Sequence, residues 1–124
     1  MGKLIIVGTP IGNLDDLTPR AVQALKECDF IIAEDTRVTA VLLAHTGISK
    51  KIFSSNGFTE ETKAEGFIKK ISEGCNAVLV TDAGMPCISD PGYKLIGKAA
   101  AAGIEVTVCP GASASVAAVA LSGL

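Results

Sequence analysis

The hydrophobic residues of this chain fall into short apolar runs that alternate with segments of helical periodicity. The apolar runs predict five strands, near residues 3–8, 30–33, 51–54, 77–81 and 105–109. Between them, apolar residues recur at the three- and four-residue spacing of an amphipathic helix. Strands that alternate with helices favour βαβ units. The sequence therefore predicts an α/β fold with one five-stranded, mostly parallel sheet and helices on both faces.

Residues that typically begin and end helices support this division. Thr18 is a predicted N-cap, with Pro19 at the first helical position. A helix from Thr36 to His45 should end at Gly47, because glycine readily adopts the left-handed conformation that follows a helix. His45 suits the negative end of that helix and is interpreted as structural. Further helices are predicted between Thr59 and Gly74, between Asp90 and Gly103, and from Ala112 onward.

Three strands run into turns rich in glycine and proline, at residues 8–12, 84–92 and 110–111. If the strands are parallel, all three turns lie at one edge of the sheet, where open α/β sheets bind ligands. The central turn is long and contains two glycines and two prolines between Gly84 and Gly92. We interpret it as a ligand-binding loop, and the alternative is an ordinary connection between a strand and a helix.

Composition narrows the classes of function. The chain has 124 residues, 48% of them hydrophobic and 19% charged, and a net charge of −2. This charge gives no overall electrostatic footprint for nucleic acid, although a partner domain could still hold RNA. No apolar run reaches the roughly 18 residues of a membrane span. We therefore expect a cytoplasmic protein without a membrane partner.

The cysteines and the single histidine argue against a metal site. Cys28, Cys75, Cys87 and Cys109 form no C-x-x-C pair, and His45 alone cannot complete a zinc set. We expect no bound metal, and we interpret the cysteines as buried thiols in a reducing compartment. Cys87 differs because it lies in the central loop. We interpret it as a small packed residue, and the alternative is a nucleophile.

The segment Glu34-Asp35-Thr36-Arg37 is a dense polar cluster directly after a buried strand. One interpretation is a helix N-cap, formed by Asp35 or Thr36, with solvated neighbours. The other is a functional cluster, in which a carboxylate and a guanidinium face the ligand edge and the arginine holds phosphate. Common motifs do not decide between them, because the chain lacks G-x-G-x-x-G, a P-loop and a complete nucleophile elbow around Ser113.

Five ordered motifs resemble the tetrapyrrole methylase superfamily, and within it the bacterial branch that 2′-O-methylates a cytidine of small-subunit ribosomal RNA. The resemblance runs from Leu4 to Leu124. Its motifs are Gly8-Thr9-Pro10-Ile11-Gly12-Asn13-Leu14-Asp15-Asp16-Leu17-Thr18, Ala33-Glu34-Asp35-Thr36-Arg37, Thr81-Asp82-Ala83-Gly84-Met85-Pro86, Ile88-Ser89-Asp90-Pro91-Gly92-Tyr93 and Pro110-Gly111-Ala112-Ser113-Ala114.

The resemblance implies an enzyme that uses S-adenosylmethionine, has two α/β domains with the cofactor between them, and forms a homodimer. Residues 1–124 resemble only the amino-terminal domain, so the second domain is absent from this chain, which alone is expected to be inactive. The motifs place cofactor contacts on three loops, with Asp82 as a neighbouring carboxylate. The expected cofactor-binding residues are Pro10, Ile11, Asp82, Ala83, Gly84, Met85, Ile88, Ser113 and Ala114.

The expected reaction is methyl transfer to a ribose 2′-hydroxyl of 16S ribosomal RNA, with the small ribosomal subunit as partner. Asp35 is the candidate general base, and Glu34, Thr36 and Arg37 are candidate substrate contacts. The alternatives are a tetrapyrrole C-methyltransferase and a non-catalytic cofactor-binding fragment. Ala83-Gly84-Met85-Pro86 departs from the Gly-Asp-Pro of tetrapyrrole-modifying relatives. Val38 and the histidine-free segment 54–59 depart from the RNA branch, which puts histidine-assisted chemistry in doubt.

Overall fold

A computed structural model describes residues 1–8, 17–33, 35–54, 61–81 and 91–109 of the chain. Within these ranges, strands and helices alternate strictly. Their order is β1 (Lys3–Gly8), α1 (Pro19–Glu27), β2 (Phe30–Ala33), α2 (Thr36–Thr46), β3 (Ile52–Ser54), α3 (Glu61–Ser72), β4 (Ala77–Thr81), α4 (Pro91–Ala101) and β5 (Glu105–Cys109). The five predicted strands are confirmed, and β3 begins one residue later than predicted.

The five strands form one sheet in the order β3-β2-β4-β1-β5. Every pair of neighbours is parallel. β1 and β4 end level with each other, because Gly8 is in register with Thr81. Val7 is in register with Cys109, the last residue of β5, and Ala33 is in register with Ser54, the last residue of β3. All five strands therefore end at one edge, the carboxyl edge, as the sequence predicted.

Alternate residues of the strands build two hydrophobic layers, because successive side chains of a strand point to opposite faces. On one face, Val7, Ile31 and Val80 pack with residues of α1 and α2. On the other face, Leu79 and Ile32 pack with residues of α3 and α4. Helices thus cover both faces of the sheet, which confirms the predicted architecture.

Most helix ends agree with the sequence prediction. The Thr18 hydroxyl accepts a hydrogen bond from the Ala21 amide at 3.1 Å, and Pro19 is the first residue of α1. Gly47 ends α2 with a φ of 74°, and Gly74 follows α3 with a φ of 117°. The predicted cap at Thr59, the start of a helix at Asp90 and the helix from Ala112 lie outside the described residues.

The opposite, amino edge of the sheet is tied together by hydrogen bonds between distant segments. The Gly2 amide donates to the Ile71 carbonyl at 2.8 Å. The Lys3 amide donates to Oδ1 of Asn76 at 3.1 Å, and the Asn76 amide donates to Oδ2 of Asp29 at 2.7 Å. The Asp29 amide in turn donates to the Asn76 carbonyl at 2.8 Å. Asn76 therefore joins the segments that precede β1, β2 and β4.

Candidate functional site

The topology places a switch point, where open α/β sheets form a crevice, at the carboxyl edge between β2 and β4. These strands are neighbours in the sheet, but the connection after β2 leads outward to β3, whereas the connection after β4 leads past β1 to β5. The two connections also use opposite faces, since α2 packs on one layer and α4 on the other. Such a switch point is where open α/β sheets bind ligands, outside the carboxyl ends of the strands.

Small residues end the two strands that lie on either side of β4 in the sheet. β1 ends at Gly8, which is half-buried, and β2 ends at Ala33, which is fully buried. Neither residue carries a side chain larger than a methyl group. A ligand can therefore approach the backbone closely at Gly8, as binding through main-chain groups requires.

The nine predicted cofactor-binding residues lie outside the described residues: Pro10, Ile11, Asp82, Ala83, Gly84, Met85, Ile88, Ser113 and Ala114. The strands that precede them are described, and β1, β4 and β5 all end at the carboxyl edge. The shared-site hypothesis required the first and central loops to follow strands that end at one edge. That requirement is met, whereas the contacts of the individual residues stay predictions.

Asp35 is the N-cap of α2, so the N-cap interpretation of the polar cluster is confirmed. Its Oδ1 accepts hydrogen bonds from the amides of Arg37 at 3.0 Å and Val38 at 3.3 Å. The Asp35 backbone is extended, with φ −115° and ψ 103°, as is usual for this position. The carboxylate is thereby held two residues after β2, beside the switch point. The capping role does not exclude a second role as a base.

Thr36 and Arg37 form the start of α2, and Glu34 lies outside the described residues. Thr36 is half-buried and Arg37 is exposed. A cation in the first turn opposes the helix dipole, so Arg37 does not stabilise α2. A guanidinium beside the amide groups of a helix N-terminus does suit a phosphate. Arg37 is thus placed where it can contact an anionic substrate at the carboxyl edge.

Thr39 is a residue of this region that the sequence did not single out. Its amide donates to the Asp35 carbonyl at 3.2 Å, so it lies one turn into α2. Its side chain is completely buried, and among the described residues its hydroxyl finds no hydrogen-bond partner. A buried hydroxyl without a partner carries a desolvation cost. No local pattern marks it, because a threonine on the apolar stripe of a helix resembles valine in size.

Cys28 and Cys109 are buried, as predicted, and Cys75 is half-buried. Burial raises the pKa of both the Cys28 and the Cys109 thiol, because the thiolate loses its hydration. These thiols are therefore poor nucleophiles at neutral pH. Cys87 lies outside the described residues.

The described residues contain neither a metal-binding cluster nor a membrane-spanning helix. No three His, Cys, Asp or Glu side chains of the described residues form a group that could hold a metal ion. No helix in the described part of the chain is long and apolar enough to cross a membrane.

The sheet order, the two helical layers and the crevice at the carboxyl edge define a doubly wound α/β protein. Solved structures share this fold. Uroporphyrin-III-C-methyltransferase from Thermus thermophilus matches with a TM-score of 0.68 and 22% identity, over 99% of this chain and 53% of its own. A diphthine synthase matches with a TM-score of 0.70 and 20% identity, over 99% of this chain and 49% of its own.

The sequence itself matches the family of tetrapyrrole (corrin/porphyrin) methylases over residues 3–124. The chain therefore belongs to this family. It is 51% identical over 123 residues to Ribosomal RNA small subunit methyltransferase I of Thermotoga maritima. It is 48% identical over 123 residues to the protein of the same name from Escherichia coli O157:H7. The chain spans 55% and 43% of the lengths of these relatives, respectively.

Proposed function

We propose that the protein carrying this chain is an S-adenosylmethionine-dependent methyltransferase that 2′-O-methylates a cytidine of 16S ribosomal RNA. The observation that carries the proposal is the similarity to Ribosomal RNA small subunit methyltransferase I, at 51% identity over 99% of the chain. The tetrapyrrole-methylating relative has the same fold but only 22% identity. The fold therefore supports both substrates, whereas the sequence similarity favours RNA.

The end of β1 at the carboxyl edge supports the proposed cofactor. S-adenosylmethionine, when bound, supplies an electrophilic methyl group on a sulfonium. Gly8, which is half-buried and has no side chain, leaves the backbone accessible at the end of β1, so main-chain groups can hold the ligand. We propose that the loops after β1, β4 and β5 complete the pocket through the nine cofactor-binding residues named above. Their small side chains and main-chain groups recognise shape rather than charge.

We propose that Asp35 accepts the proton of the ribose 2′-hydroxyl and that Arg37, with Glu34 and Thr36, contacts the nucleotide. Two amide hydrogen bonds hold the Asp35 carboxylate in one orientation at the carboxyl edge. A positioned base contributes roughly 10²–10⁴-fold to such a reaction. Alignment of the two reactants contributes more, about 7–11 kcal/mol of the barrier.

The assembly follows from the same reasoning. We propose that residues 1–124 form the amino-terminal domain, that a second domain closes the cofactor site, and that the protein is a cytoplasmic homodimer acting on the small ribosomal subunit. The chain spans 55% of the length of its Thermotoga maritima relative. A half-enclosed pocket binds ligands weakly, because tight sites enclose most of the ligand surface. The 124-residue chain alone should therefore not transfer methyl groups.

Transfer of a labelled methyl group tests the proposal. The full-length protein, incubated with labelled S-adenosylmethionine and small-subunit ribosomal RNA lacking the modification, should label one cytidine at its 2′-oxygen. Nuclease digestion and mass spectrometry locate the product. Labelling of uroporphyrinogen III instead would establish the tetrapyrrole alternative. Cofactor binding without transfer to either substrate would establish a non-catalytic cofactor-binding protein.

A glycine substitution tests the proposed central loop. Gly84→Val should weaken S-adenosylmethionine binding at least tenfold in isothermal titration, because a branched side chain would occupy space needed by the ligand. Gly66→Val is the matched control, since a side chain at this exposed position of α3 meets open space. Equal affinity of Gly84→Val and the unsubstituted protein would remove this loop from the site.

A further inference from the structure

Four lysines line up across the face of the molecule that α3 and α4 cover. Lys51 directly precedes β3, Lys69 and Lys70 lie in the last turn of α3, and Lys98 lies in the last turn of α4. We call these four residues the lysine strip. They come from three separate segments of the sequence, and the net charge of −2 conceals them.

Two members of the strip converge on one aromatic ring. The Lys51 ammonium lies 5.1 Å from the centroid of Phe53, and the Lys70 ammonium lies 4.9 Å from the same centroid. Lys70 also lies 5.5 Å from the centroid of Phe30. Phe53 packs edge-on against Phe30, with centroids 5.7 Å apart. The aromatic cluster therefore gathers two like charges at the outer end of the sheet.

The other two members flank a groove between the helices. Lys69 and Lys98 line this groove together with Glu65, Ile68 and two alanines. Lys69 and Lys70 are adjacent in sequence, and one faces α4 while the other reaches the β2–β3 side. They thereby join the groove to the aromatic cluster. The strip runs in the order Lys51, Lys70, Lys69 and Lys98.

The local charge of the strip is poorly compensated. Among the described residues, no carboxylate forms an ion pair with any of the four ammonium groups. Glu65 lines the groove, and Glu73 directly follows α3. A lysine in the last turn of a helix interacts favourably with the helix dipole, which explains the positions of Lys69, Lys70 and Lys98. The dipole does not account for Lys51, or for its convergence with Lys70 on one ring.

We propose that the lysine strip binds the phosphate backbone of the RNA substrate outside the reaction crevice. This inference rests on the proposed function, which supplies a large structured RNA. Unpaired cations in a row attract a polyanion and release its counterions on binding. The strip lies toward the amino edge, at the carboxyl ends of α3 and α4, whereas the crevice lies at the carboxyl edge. Since α3 is 12 residues long, about 18 Å separates its two ends. The strip therefore positions RNA and touches no reacting atom.

Paired charge neutralisation in the full-length protein tests the strip. Lys69→Gln/Lys98→Gln should weaken binding to naked small-subunit ribosomal RNA about tenfold at low salt. The slope of log K against log salt should fall by about 1.4 to 1.8, since two phosphate contacts are lost and each contributes about 0.7 to 0.9. Lys51→Gln/Lys70→Gln should act in the same direction. Affinity for S-adenosylmethionine should stay unchanged in both variants.

The matched control is Lys26→Gln/Lys50→Gln, which removes the same charge. Lys26 belongs to α1, and Lys50, although next to Lys51 in sequence, lies near Cys28 of the α1–α2 layer on the opposite face of the sheet. This control should keep the salt slope of the unsubstituted protein. Thermal unfolding of all variants verifies that the fold is retained.

Three results would overturn the inference. Strip variants with the salt slope of the unsubstituted protein would remove the strip from the RNA interface. Equal losses of RNA affinity in the strip and control variants would show that only the net charge of the protein matters. A loss with the intact small subunit but none with naked RNA would assign the strip to a ribosomal protein. An unsubstituted protein that binds S-adenosylmethionine but neither binds nor methylates RNA would instead overturn the proposed function, and the strip with it.

Discussion

The two edges of the parallel sheet use polar groups in different ways. At the amino edge, the polar groups bind one another: Asn76 bonds to Lys3 on one side and to Asp29 on the other, at 3.1 and 2.7 Å. Gly2 approaches so closely that a Cβ would overlap the Cys75 carbonyl. This edge satisfies its own hydrogen-bonding groups and leaves no space for a ligand near Gly2.

At the carboxyl edge, β1 and β2 end in the small residues Gly8 and Ala33, and the connections diverge at the switch point between β2 and β4. Asp35 caps α2 here, and the buried Thr39 hydroxyl lacks a partner among the described residues. The amino edge therefore holds the strands in place, whereas we propose that the carboxyl edge holds the ligand. Substitutions at the amino edge should change stability, and those at the carboxyl edge should change activity.

Gly2→Ala should have the largest effect on stability. The added methyl group would overlap the Cys75 carbonyl, a backbone group that cannot rotate away. Relief of the overlap requires Gly2 to move and weakens its hydrogen bond to Ile71. Overpacking of this kind costs about 3 kcal/mol, the upper end of its usual range. Urea unfolding measures the loss of stability. The control is Gly66→Ala, at an exposed position of α3, which should not destabilise the protein. Unchanged stability of Gly2→Ala would show that the amino edge is not closely packed.

Asp35 substitutions separate capping from catalysis at the carboxyl edge. Asp35→Ala should destabilise the protein by about 1 kcal/mol, because the Arg37 and Val38 amides lose their acceptor. Asp35→Asn should keep nearly full stability, since asparagine is an equally good N-cap. It should nevertheless lower kcat for RNA methylation by about a hundredfold or more, because an amide is not a general base. Full activity of Asp35→Asn would restrict Asp35 to its structural role.

Thr39→Val should have the smallest effect, and in the opposite direction. Valine has the shape of threonine and removes the buried hydroxyl that lacks a partner among the described residues. The stability gain should be about 1 kcal/mol, measured by thermal unfolding. Thr39→Ser is the matched control, because it keeps the hydroxyl and deletes the methyl group. A loss of stability in Thr39→Val would mean that the hydroxyl has a partner.

Local patterns were sufficient to predict the strands and most helix ends. Gly47 and Gly74 marked the ends of α2 and α3 because positive φ values favour glycine. The order of the strands was not predictable in this way, since three of the four connections pass over a neighbouring strand. The amino edge was also missed, because the Asn76 contacts span 47 and 73 residues. The polar cluster at Asp35 was predicted, but coordinates were needed to establish that Asp35 is the N-cap, and its role as a base stays a prediction.

Hydrogen exchange of the full-length protein, with and without S-adenosylmethionine, tests the central claim that the carboxyl edge is the cofactor site. With S-adenosylmethionine bound, we expect slower exchange in the peptides that follow β1, β4 and β5, at residues 9–16, 82–90 and 110–115. Peptides of the amino edge, around Gly2, Asp29 and Asn76, should exchange at the same rate in both states. Protection confined to the amino edge at saturating cofactor would show that the cofactor does not bind at the carboxyl edge.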